Sequence, residues 1–171
     1  MILKYRVNFK KKKKKLISEN KLEFDKIVKA KNLYIMMKKI KKMKFISKSL
    51  QNSQMNWDNV GTGEVVVSVD NNKIYFFEEI HLENGMKLND KKMWEIDSEK
   101  NKIGFYHFRN NDYENIFNFI LENGKYITER KYECFPDNYF GEIEVFDDKI
   151  HFTIKIVGSK KNEIIEYIYE K

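Results

Sequence analysis

Cysteine, arginine, proline and early glycine are all scarce in this chain, and each shortage excludes something. A single cysteine, Cys134, stands among 171 residues, so no disulfide closes within the chain and a four-thiolate zinc site is excluded. No glycine or proline precedes Gly61, while all seven glycines and the lone Pro136 follow. No apolar run approaches the roughly 18–20 residues that cross a bilayer. The segment Met1–Arg6 is not the apolar core of a signal peptide. A reduced, intracellular protein is expected, cytoplasmic or, in a eukaryotic host, nuclear.

What is present divides the chain in two. Residues 1–50 hold 18 basic against 3 acidic side chains, and residues 51–171 hold 15 against 23. The arginines are only Arg6, Arg109 and Arg130, against thirty lysines. Abundant Lys, Asn and Ile are what A/T-rich coding supplies by default, so surface lysines carry little information and arginines carry more.

Two parts follow: a lysine-rich extension over 1–42 and a folded domain over 43–171. In the extension, Phe24, Ile27, Val28, Tyr34, Met37 and Ile40 recur at helical spacing, and Asn20 with Glu23 forms a capping pattern. A helix is predicted over about 21–41, with Lys10, Lys11, Lys12, Lys13, Lys14 and Lys15 preceding it as a flexible run. From about residue 43, β-rich runs alternate with turn signals such as Asp70-Asn71-Asn72, Glu83-Asn84-Gly85, Asn110-Asn111-Asp112 and Glu122-Asn123-Gly124. The runs are 43–50, 63–70, 73–83, 86–97, 101–109, 115–122, 125–135, 139–147, 149–157 and 163–170. About eight to ten antiparallel strands of this spacing predict an up-and-down barrel, since closure removes exposed edges. A sandwich is the alternative.

Side chains alternate across a strand, so the charged parity marks the outside. Over 73–83 that rule turns Ile74, Phe76, Glu78, Ile80 and Leu82 inward. Over 101–109 it turns in Ile103, Phe105, His107 and Arg109, and over 125–135 Tyr126, Thr128, Arg130, Tyr132 and Cys134. Tyr139, Ile143 and Val145 follow, then Ile150, Phe152, Ile154 and Ile156, and finally Ile165, Tyr167 and Tyr169. An interior carrying Glu78, His107, Arg109, Arg130 and several tyrosines has two readings. It is either an internal ion pair satisfied by tyrosine hydroxyls or a lumen that holds a small ligand. Arginine's planar fork matches carboxylate or phosphate, so a small, partly apolar anion is the ligand class implied by the second.

Over residues 45–171 the chain also resembles a set of small uncharacterised proteins, domain-of-unknown-function family 6314. The carrying residues are Gly61-Thr62-Gly63-Glu64, Phe105-Tyr106-His107, Tyr132 to Gly141, and Val157-Gly158-Ser159-Lys160-Lys161-Asn162 with Tyr169. Ser159 and Asn162 depart from that family's usual Pro and Asp, and Tyr132 from a frequent His. The resemblance implies a calycin-like (lipocalin-type) barrel and no established activity. It marks Gly63, Glu64, Asp137, Gly141, Gly158 and Lys161 as matching positions.

Chemistry beyond binding has little support in the sequence. His81 and His151 face outward on different runs, and His107 has no partner at metal-ligand spacing. Cys134 with His107 is the one nucleophile-and-base pair available, and parity assigns that cysteine to inert packing. No Gly-rich phosphate loop, serine elbow or paired-carboxylate motif occurs. No catalytic residue is assigned and no cofactor is implied. The alternative function is an interaction or nucleic-acid-binding module acting through Lys10–Lys15, which also suit an anionic membrane surface or a solvated tail.

Overall fold

The computed structural model describes residues 2–99 and 101–171, with backbone alone over residues 2–17. A helix, α1 (Ile2–Met37), precedes eleven strands. These are β1 (Lys42–Ser49), β2 (Asn59–Asp70), β3 (Lys73–Leu82), β4 (Lys87–Asp97), β5 (Lys102–Arg109), β6 (Asp112–Glu122), β7 (Lys125–Thr128), β8 (Tyr132–Cys134), β9 (Asp137–Val145), β10 (Lys149–Gly158) and β11 (Asn162–Glu170). Neighbours pair antiparallel in the order β10-β11-β1-β2-β3-β4-β5-β6-β7-β9, and β9 returns to β10. The result is a closed ten-stranded barrel, with the short β8 continuing the β7 side of β9. It is consistent with a lipocalin-like barrel.

The turn signals do the work that their chemistry allows. Asn110 and Asn111 both take positive φ, as do Asn123 and Gly124, the backbone that two-residue hairpins need to match strand twist. Asn71 and Gly85 supply the left-handed position in two further turns.

Alternation then sorts the barrel. Ile74, Phe76, Glu78, Ile80 and Leu82 of β3 are all buried, and so are Ile150, Phe152 and Ile156 of β10. The middle of the lumen is filled by rings: Trp94 lies 4.7 Å from Phe105 and 5.0 Å from Phe152, centroid to centroid. Such packed aromatic pairs form a floor that water does not enter. Val145, expected inside, is instead exposed at the end of its strand.

The helix differs from its sequence-based bounds. It includes the lysine run in its backbone and ends at Met37 rather than near 41. Its last turns plug one end of the barrel. Ala30, Leu33 and Met37 are fully buried in the same apolar cluster as Ile74 and Ile150, and the Tyr34 hydroxyl donates to the Asn71 carbonyl, 2.8 Å away, at the β2–β3 turn. Earlier turns project beyond the barrel, where Leu22 and Phe24 are exposed. No helix among the described residues is long and apolar enough to cross a membrane.

Removing the plug's centre leaves a cavity that the sheet ends cannot collapse into. Leu33→Ala is therefore expected to cost about 2–5 kcal/mol, whereas Phe24→Ser on the projecting turns changes stability by less than about 0.5 kcal/mol. Urea denaturation of the two variants checks both values.

Candidate lumenal site

At the end opposite the helix, the lumen opens into a cavity of about 530 Å³. Its walls are apolar, from Phe45, Ile80, Phe105, Ile116, Phe117 and Ile165 among others, with a polar stripe of Asp90, Lys92, His107 and Arg109 on β4 and β5. The segment between β1 and β2 adds Met55 and Trp57. That segment is tied down by Gln54, whose amide donates to Lys160 O at 3.0 Å, and by Ser47 Oγ, which donates to Trp57 O at 2.8 Å.

The stripe is built on the register of two ladders. Glu78 lies directly opposite Asp90 across β3–β4, and like charges so placed repel. Lys92, two residues along β4 on the same face, resolves the conflict. Its ammonium contacts Glu78 Oε2, lies 3.1 Å from Asp90 Oδ2, and donates to the Tyr169 hydroxyl at 3.2 Å. Tyr169 in turn donates to Glu78 Oε1 at 2.7 Å. All three ammonium protons are thus used, and the Tyr167 ring lies 3.5 Å from the nitrogen, within cation–π range.

Lys92 and Glu78 are almost wholly buried, so their charges survive only as a group. Burial works against the ammonium, but Asp90 and Glu78 outweigh it and hold Lys92 well above the ordinary lysine range. Burial likewise opposes ionisation of Asp90, yet the Lys92 charge and the His107 hydrogen bond hold that carboxyl well below its usual value. For Glu78 burial wins over Lys92, and its carboxyl is raised. Burial pushes the Tyr167 hydroxyl up to about 12, so it is neutral at ordinary pH.

Toward the mouth the chain of contacts continues. His107 Nε2 lies 2.6 Å from Asp90 Oδ1, and Arg109 Nε donates to His107 Nδ1 at 2.9 Å. Because Nδ1 accepts, the proton sits on Nε2, and His107 is the neutral tautomer that donates to Asp90. The opposite rim carries Lys161, whose ammonium donates to the Tyr139 hydroxyl at 3.3 Å. Burial pulls Lys161 down, but Tyr139, Glu163 and Asp137 hold it above its ordinary value.

Three of the positions marked by the resemblance converge on that rim. Asp137 Oδ1 accepts from the backbone N–H groups of Lys160, 3.3 Å away, and Lys161, 3.1 Å away. A Cβ at Gly158 would stand 2.1 Å from that same oxygen, so only glycine lets Asp137 bridge the β10–β11 turn and set Lys161 at the mouth. Gly141 passes under the Phe117 ring, where a Cβ would come within 2.9 Å. Gly63 lies in the β2–β3 ladder opposite Ile80, and Glu64 is exposed on the outer face.

Of the residues assigned to the lumen from sequence, His107, Arg109, Tyr139 and Tyr167 line the cavity, and Glu78 and Tyr169 lie within the polar network. Tyr126 is buried but stands near the helix plug, beside Lys29, Met36 and Phe146. Arg130 and Cys134 are corrections. Both are exposed, because the run 125–135 is not one strand: Glu129–Lys131 break it between β7 and β8 and reset the alternation. Arg130 lines an outer groove beside Glu129 and Lys131 instead. Tyr132 is half-buried at the rim, its hydroxyl donating to Glu114 Oε1 and its ring in edge contact with Tyr139. The side chains of Lys10–Lys15 lie outside the described residues.

The sequence reading missed Asp90, Lys92 and Glu163, all of which line the cavity. Leu88, Trp94 and Ile96 share the parity of Asp90 and Lys92, which was the available signal. Among the described residues no cluster of three or more His, Cys, Asp or Glu is arranged to hold a metal ion. Comparison with known proteins finds no family model that matches the chain and no curated protein of similar sequence.

Lys92→Met leaves the buried Glu78 and the partly buried Asp90 without their cation and is expected to cost about 3–5 kcal/mol, measurable by urea denaturation. Asp90 is depressed in the folded state, so its stabilisation is present above the ordinary carboxylate range and is lost as pH falls toward the folded value. Glu78, raised, contributes with the opposite sign. Below about pH 4 the wild type should lose stability more steeply than Asp90→Asn, as thermal unfolding across an acid pH series would reveal.

Proposed function

We propose that this protein is a small-molecule-binding barrel whose lumen holds a partly apolar anion. The observation that carries this reading is the balance of open hydrogen-bonding valence at the cavity. Both oxygens of Glu78 and both of Asp90 already accept bonds from Lys92, Tyr169 and His107. Arg109, by contrast, spends only its Nε on His107, and no carboxylate pairs with it among the described residues. Among the described residues, its terminal N–H groups and the Lys161 ammonium are the cationic donors left at the mouth, above largely apolar walls.

A cavity with aromatic and aliphatic walls and few convergent polar groups suits a ligand with an apolar body and one charged head. Arginine, with two terminal nitrogens in one plane, favours a carboxylate or phosphate head. Membership of domain-of-unknown-function family 6314 is part of the same proposal. It is supported by the way Asp137, Gly158 and Lys161 serve one rim rather than three separate roles.

Dodecanoate, a simple apolar anion, is a suitable probe, followed by quenching of tryptophan fluorescence because Trp57 lines the cavity. Arg109→Ala is expected to weaken dodecanoate about tenfold or more, the scale of a lost charge-assisted hydrogen bond. Arg130→Ala, on the outer groove, should bind as the wild type does. Equal affinity in wild type and Arg109→Ala would refute the anion site.

A further inference from the structure

Three carboxylates face the lumen, and only two are saturated. Glu163 is 2 % exposed and lines the cavity, yet its one hydrogen bond comes from Ser53 Oγ, 3.3 Å from Oε1. Its other oxygen has no partner among the described residues. That oxygen is not sealed off among the buried atoms without a partner, so it is an acceptor open to the cavity, where water or a ligand's donor meets it.

Lys161 is near enough for Glu163 to hold its ammonium up, but the two make no ion pair within 4.0 Å. The charge of Glu163 is therefore offset while its hydrogen-bonding capacity is not. A second cation entering here would meet Lys161, whereas a neutral O–H or N–H would meet only the open acceptor. Position adds a constraint. In the ten-stranded ring β11 lies five strands from β5 in either direction, so Glu163 and Arg109 stand on opposite walls of the mouth.

We propose that Glu163 is the specificity-determining residue of the lumen, receiving a neutral hydrogen-bond donor of the ligand. The molecule bound is then an apolar anion that also carries a hydroxyl or amide N–H, set apart from its charged head. The proposal rests on the reading of the lumen as an anion site. Its rival is that Glu163 serves only to latch the β1–β2 segment through Ser53.

Dodecanoate and 12-hydroxydodecanoate, titrated against the full chain by tryptophan fluorescence, separate these. The wild type is expected to bind the hydroxylated probe about tenfold more tightly, one hydrogen bond to a charged acceptor. Glu163→Leu should bring the ratio to about one while still binding dodecanoate, and Ser53→Ala should keep the wild-type ratio. If Glu163→Leu does not fold, Glu163→Gln is read in its place, and its neutral acceptor should narrow the preference to about threefold. A wild-type ratio of one or below, or a ratio unchanged by the Glu163 substitution, overturns the proposal. So does a ratio lost in Ser53→Ala, which assigns the effect to the latch. Dodecanoate binding that is indifferent to Arg109→Ala overturns the anion reading instead, and failure of both probes to bind overturns both.

Discussion

Lys92 is the residue on which the interior depends. The β3–β4 register sets two carboxylates face to face inside a barrel, an arrangement with no stable outcome unless a cation lies between them. One ammonium spends all three protons there, on Glu78, Asp90 and Tyr169. Because those partners sit on β3, β4 and β11, the contact also ties distant parts of the ring together. Everything nearer the mouth inherits its state from this group: Asp90 stays ionised, a charged Asp90 holds the Nε2 proton of His107, and the opposite nitrogen of that ring accepts from Arg109.

The lumen is consequently layered. Helix side chains close one end, an aromatic floor around Trp94 follows, then the charged network, then an apolar cavity with polar rims. The order matters physically. The dry floor and the buried network remove water from beneath the cavity, which strengthens every electrostatic contact above them. With His107 neutral, Lys92 offsets one of the two carboxylate charges, and Arg109, bonded to His107 at the rim, stands against the other.

Much of this was legible from alternation. The rule that charges face outward turned β3, β5, β10 and β11 correctly, and it delivered Glu78, His107 and Arg109 to the interior because their neighbours on the same parity were apolar. It failed where its premise failed. Along Lys87–Asp97 lysines occupy both faces, at Lys91 and Lys92, so a charged residue no longer marks the outside. Glu163 shares the parity of Ile165 and Tyr167, but its charge argues against the face it occupies. Arg130 and Cys134 were misplaced for another reason: the alternation was carried through Glu129–Lys131, where the strand breaks, and nothing in the side chains there announces a break.

That interruption bears on the closure of the ring. Most ladders in the barrel run for six or more register pairs, as in β2–β3 and β10–β11, but β7 meets β9 at only Tyr126↔Ile143 and Ile127↔Glu142. The barrel therefore closes like a garment fastened by two buttons beside seams that are fully sewn. Parting the sheet at this point sacrifices the fewest ladder bonds, so local opening of the wall is cheapest here, along the side of the cylinder rather than at its mouth.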